Sequence, residues 1–174
     1  TQVIPLSKAG CGQTRLTHSI EVAVVGGSLG RSVGKHLLNK YPHLRELGYQ
    51  TNDFGAIIAA AAVAHDIGNP PFGHSGEKAI GEFFQFKKGT AIKHLLTEAE
   101  YADLCNFEGN ANGFRIVNES RLGVEGGLRL TYATLGAFTK YPKESLPIQP
   151  TKNIADKKYG FFQGDKAFFK EVAD

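Results

Sequence analysis

A chain of 174 residues, 41% hydrophobic and 21% charged, has the make-up of a globular domain and excludes a disordered or fibrous class. A net charge of +3 is too small to demand nucleic acid as a partner; it suits a small phosphorylated substrate or a weak nucleic-acid contact. No apolar run is long enough to span a bilayer, and Cys11 and Cys105 form no C-x-x-C pair, so a membrane partner, a disulfide scaffold and a thiolate zinc site are set aside and the cytoplasm is the expected compartment.

The chain begins at Thr1 without a methionine, and Val172-Ala173-Asp174 reads as the middle of a helix. One domain over 1–174, incomplete at both ends, is therefore expected. Apolar residues recur at three-and-four spacing throughout, with no repeat and no alternating run, which predicts an all-α fold. The first helix is predicted from His18 to Tyr41, with Ile20, Ala23, Val24, Val33 and Leu37 recurring at helical spacing and Pro42 ending it. Gly26-Gly27 lies within it, where a kink or close helix packing is expected.

A second helix is predicted to start at Asn52 or Asp53, with Phe54, Ile57, Ile58, Ala61, Ala62 and His65 on its inward face. The turn Gly68-Asn69-Pro70-Pro71-Phe72-Gly73 leads to a helix from Ser75 that carries Ile80, Phe83 and Phe84 inward and Glu77 in its first turn. Further helices are predicted after Thr97, over Asn106 to Val117, over Leu130 to Tyr141 before Pro142, and from Asp165. The Lys- and Pro-rich stretch 142–158 reads as a loop.

The chemistry concentrates in His65-Asp66-Ile67-Gly68-Asn69-Pro70-Pro71-Phe72-Gly73-His74-Ser75-Gly76-Glu77. An inward His followed by Asp is costly to desolvate unless paired or bound to a cation, and imidazole with carboxylate is a ligand set for divalent metals. His18 offers a third ligand, with Arg15 beside it able to fork onto phosphate oxygens. A capping or packed histidine would explain His18 alone, and a turn histidine with a first-turn glutamate would equally explain His74 and Glu77. His36, His43 and His94 lack such company and read as surface residues.

His18 followed by His65-Asp66 resembles the motif of the HD superfamily of metal-dependent phosphohydrolases. The stretches 1–6, 14–19 and 107–115, the pair 130–135 and 139–142, and Lys157-Lys158-Tyr159-Gly160-Phe161-Phe162 resemble, in order, signatures of its dGTPase-like deoxynucleoside triphosphate triphosphohydrolases. HDIGNPPFGHSGE and FEGNANGFRI are the most specific strings, and the likeness covers nearly the whole chain.

The resemblance implies an HD-domain helical bundle around a divalent ion held by His18, His65 and Asp66, with manganese or magnesium foremost among the metals and a fourth ligand, an Asp, beyond Asp174. It implies a dNTP substrate, dGTP preferred, split into deoxynucleoside and tripolyphosphate, with His74 and Glu77 acting beside the reacting phosphate. It places Arg15, Lys140 and Lys158 toward phosphate, Asn110 and Tyr141 along the substrate, and Gln2 and Val3 near sugar and base. A homo-oligomer, often a hexamer, and a nucleotide activator are its further implications. The rival readings are an HD nucleotidase or phosphodiesterase of other substrate, against which FEGNANGFRI and LTYATLGAFTKYP weigh, and a non-catalytic module binding nucleotides or single-stranded DNA.

Overall fold

The computed structural model describes residues 14–120, 122–123, 125–148 and 158–174. Its described residues are helical, with no strand among them and one isolated parallel bridge between Glu144 and Phe161. They divide into two compact units, the first ending at His65 and the second running from Asp66 to Asp174. Among the described residues no helix is long and apolar enough to cross a membrane.

The first unit holds α1 (Arg15–Lys40), the short α2 (His43–Glu46) and α3 (Thr51–Ala64). The α1 helix starts three residues before the predicted His18, because Thr14 and Thr17 form a reciprocal capping box, Thr17 N–H donating to Thr14 Oγ1 at 3.3 Å and Thr14 N–H to Thr17 Oγ1 at 2.9 Å. The α3 helix likewise starts early: Gln50 is its cap, and Asp53 sits at the third position and accepts from Gln50 N–H at 2.7 Å.

The apolar stripe that the spacing picks out on α1 is not its buried face. Ile20, Val24 and Val33 are each more than half exposed, whereas Gly27, Gly30, Gly34 and Leu38 are buried. The period is sound but does not locate the packed face, since glycine scores as no hydrophobe but lets another backbone approach. A Cβ on Gly30 would stand 2.7 Å from the Phe54 carbonyl oxygen, and one on Gly34 2.7 Å from the Phe54 ring. Gly26 meets Ile58 and Ala62 while Gly34 meets Phe54, so the helices run antiparallel and the start of α1 lies beside the end of α3.

The second unit holds α4 (His74–Phe86), a 3-10 helix (Lys88–Leu95), α5 (Glu98–Cys105), α6 (Gly109–Asn118), α7 (Tyr132–Phe138), a 3-10 turn (Gln163–Asp165) and α8 (Lys166–Ala173). Thr97 caps α5 in a box with Glu100, as the sequence predicts. Phe83 departs from prediction: it lies on the exposed side of α4. The α7 helix stops at Phe138, short of the predicted Tyr141, where buried Thr139 turns its hydroxyl back to Leu135 O at 2.8 Å.

Phe114 and Val117 of α6 are fully buried, with Phe161, Phe168 and Phe169 around Phe114 and Phe161 stacked on Phe169 at 4.1 Å between centroids. Arg115 reaches from α6 to Asp165 at 3.1 Å and lies over the Phe162 ring at 5.0 Å. Burial pushes the Asp165 carboxyl up, against the downward pull of Arg115.

Gly30→Ala should invert the usual sign of a helical Gly→Ala change, lowering stability by about 1–3 kcal/mol through overpacking. Gly136 in α7 has nothing within 4 Å of its Cβ position, so Gly136→Ala should raise stability by about 0.5–1 kcal/mol. Thermal unfolding of the two variants checks the contrast; an unchanged or raised midpoint for Gly30→Ala contradicts this packing.

Candidate metal centre

His18 stands in the first turn of α1, which the Thr14–Thr17 box fixes, and its backbone N–H donates to Thr14 O at 3.0 Å. His65 is the residue that closes α3, its backbone still helical. The antiparallel packing brings the two rings edge to face, centroids 5.2 Å apart and planes at 64°. Both are half-buried, so His65 lies at the edge of the packed region and not deep within a core.

His65 Nδ1 lies 2.7 Å from the Ala62 carbonyl oxygen. A carbonyl only accepts, so Nδ1 carries the proton and Nε2 keeps its lone pair for a ligand, the arrangement by which metal-binding imidazoles are oriented. Asp66, bonded to His65, offers the carboxylate. Ligand atoms of His18, His65 and Asp66 all lie within 4.8 Å of one another, and they are the one such group among the described residues. Ligand atoms about 2.1 Å from a shared ion stand roughly 3–4.2 Å apart, so small side-chain adjustments suffice for closure. Two imidazole nitrogens and a carboxylate suit a divalent first-row transition ion.

Asn69, which the sequence reading passed over, donates from Nδ2 to Asp66 Oδ1 at 2.7 Å and holds one carboxylate oxygen in place. The Asp66–Asn69 turn presses onto the start of α6: a Cβ on Gly68 would stand 2.1 Å from Gly109 O and Gly113 N, and Asn112 Nδ2 donates to Gly68 O at 2.9 Å. The small residues of FEGNANGFRI are thus the surface on which the HDIGN turn rests. At the end of that turn Phe72 has φ +66 and is 91% exposed, and Gly73 has φ +55 before α4 begins. A left-handed phenylalanine costs of order 1–3 kcal/mol and marks a backbone that its surroundings over-determine.

His74 is exposed at the first position of α4, one residue earlier than the predicted start. Glu77 Oε1 accepts from Gly109 N–H at 2.9 Å, so the carboxylate is pinned to the start of α6, where the helix dipole favours it. Both line a cavity of about 570 Å³ in the second unit, with Lys78, Glu108, Lys143 and Lys158 among the polar wall residues and Phe107 and Tyr159 among the aromatic ones. Burial first, then the Asp103, Glu108 and Glu77 carboxylates, hold the Tyr159 phenol far above its ordinary range. It therefore stays a donor, to Asn106 O at 2.6 Å.

Lys158 lines that cavity but is not an open cation. Its ammonium is paired with Glu108 at 2.9 Å. Asn110 is outside the wall, its amide donating to Glu108 Oε1 at 2.6 Å. Lys140 is exposed and lies over the Tyr141 ring at 5.5 Å, and neither residue borders the cavity. Arg15 is the first residue of α1, half-buried. Gln2 and Val3 lie outside the described residues. His36, His43 and His94 are exposed, as read from the sequence.

Comparison with known proteins shows the family of the chain. The family model described as "HD domain" matches residues 15–122. A deoxyguanosinetriphosphate triphosphohydrolase-like protein of Synechocystis is 49% identical across 100% of this chain and 40% of its own length. One of the same name from Pseudomonas aeruginosa is 43% identical over 99% of the chain and 38% of its own length. A deoxyguanosinetriphosphate triphosphohydrolase of Yersinia pseudotuberculosis is 33% identical over 99% and 39%. The chain thus spans about two fifths of the length of these curated relatives.

In equilibrium dialysis with manganese, His18→Ala, His65→Ala and Asp66→Ala should each reduce bound metal at least tenfold, and Asn69→Ala should weaken affinity about 10–100-fold through loss of the Asp66 support. His36→Ala should change nothing. Wild-type metal content in Asp66→Ala contradicts the assigned site.

Proposed function

The chain belongs to the HD domain family, and on that premise we propose that it carries the metal-binding part of a deoxynucleoside triphosphate triphosphohydrolase. The convergence of His18, His65 and Asp66 supports this most directly, and the names of the relatives point to the substrate class. When bound at His18, His65 and Asp66, a divalent ion, manganese or magnesium, supplies positive charge to a phosphoryl oxygen and acidity to water.

In the proposed reaction water adds at the alpha phosphorus of a dNTP, dGTP foremost, and the bond from that phosphorus to the sugar oxygen breaks. Deoxynucleoside leaves with its oxygen, and tripolyphosphate keeps all three phosphorus atoms. His74, exposed at the head of α4, is positioned to take up and return the proton that passes from water to the leaving oxygen. Glu77, its carboxylate fixed by Gly109 N–H, is the second member of the pair beside the reacting phosphate. By the family resemblance Arg15, Lys140 and Lys158 face the triphosphate, Asn110 and Tyr141 the substrate, and Gln2 and Val3 the sugar and base; of the described ones Lys158 lines the cavity that holds His74 and Glu77.

Incubation of the full-length protein with each dNTP and manganese or magnesium should yield tripolyphosphate and deoxynucleoside, resolved by ion chromatography. His74→Ala should retain metal and slow turnover about 10²–10⁴-fold. Release of inorganic phosphate or a nucleoside monophosphate would assign the site to another phosphohydrolase, and an absence of any product would reject the catalytic reading.

A further inference from the structure

Glu108 has no place in the roles assigned so far, yet its carboxylate accepts four hydrogen bonds. It is buried, and it caps α6 by accepting from Asn110 N–H at 3.3 Å. The same Oε1 accepts from Asn110 Nδ2 at 2.6 Å, and Lys158 Nζ donates to both oxygens, at 3.1 and 2.9 Å. The side chains of Lys158 and Glu108 are only 19% and 8% exposed, so this pair is shielded from solvent and its geometry is held. Asn110 and Lys158 are both residues for which a substrate contact is proposed, and they are far apart in sequence; Glu108 is what joins them.

We propose that Glu108 is a positioning residue: its buried carboxylate aims the Lys158 ammonium along the wall of the cavity shared with His74 and Glu77, so that an entering polyphosphate meets a cation already in place. A lysine stem has four rotatable bonds and loses much rotamer freedom when it binds a phosphate; prior fixing by Glu108 removes part of that cost. The cap on α6 ties the same carboxylate to the start of that helix, so both partners are held in place.

This inference rests on the phosphate-facing reading of Lys158, and its test uses binding, so that loss of turnover does not decide it. Inorganic tripolyphosphate is titrated by calorimetry into the full-length protein and into Glu108→Gln, Lys158→Met and the Glu108→Gln/Lys158→Met double variant. Glutamine keeps the cap and the contact to Asn110 but removes the charge that holds Lys158. All three variants should bind about tenfold more weakly than wild type and equally with one another, because Glu108 acts only through Lys158. Tighter or unchanged binding by Glu108→Gln overturns the proposal, as does a double variant weaker than either single one. Should Glu108→Gln fail to fold with Lys158 unpaired, the double variant and Lys158→Met remain comparable: equal affinities, both below wild type, uphold the proposal and unequal ones reject it. If tripolyphosphate binding follows this pattern while no dNTP is hydrolysed, the proposed function fails and the positioning role stands.

Discussion

The distance between two imidazoles is set by helices that touch backbone to backbone. With Gly27, Gly30 and Gly34 on one helix and Gly55 on the other, α1 and α3 approach closely enough that a single added Cβ meets main-chain or ring atoms under 3 Å away at Gly30 and Gly34. Antiparallel packing at that separation carries the first turn of α1 to the last turn of α3, and His18 to His65. Large side chains along the same interface would spread the helices toward the usual 8–10 Å or beyond, and the ligand atoms with them. Small residues are thus a requirement of the donor cluster, enforced from well outside it.

Carboxylates near the chemistry are held by main-chain, amide and ammonium donors. Asn69 steadies Asp66, Gly109 N–H steadies Glu77, and Asn110 with Lys158 steadies Glu108. Two of these arrangements converge on the start of α6, whose glycines leave room for them: a Cβ on Gly109 would stand 2.7 Å from Asn69 Oδ1 and 2.8 Å from Glu77 Oε1. Partial desolvation of acidic groups is tolerable under such pairing and expensive without it.

The sequence made the helices and the His-His-Asp set legible because periodicity and ligand chemistry both survive in one dimension. Thr97 and Pro42 marked boundaries through a local cap and a ring constraint that need no tertiary context. What it hid was whatever depends on a neighbour. Apolar spacing picked out Val24 and Val33 on α1, and only the partner helix shows that the glycines are buried instead. Asn69 read only as part of a turn, and Glu108 only as part of a predicted helix. Their contacts to Asp66 and Lys158, the latter across 50 positions of sequence, carry no signature in either residue's own surroundings.

The central claim is that His18, His65 and Asp66 grip one divalent ion. A crystal structure of the manganese-loaded protein, with diffraction collected at wavelengths that isolate manganese anomalous scattering, tests it most directly. The account requires one anomalous peak about 2.0–2.3 Å from His65 Nε2, from a His18 ring nitrogen and from an Asp66 carboxylate oxygen. A peak held by other residues, or no peak while His65 Nδ1 still bonds Ala62 O and Asp66 still bonds Asn69, would contradict it.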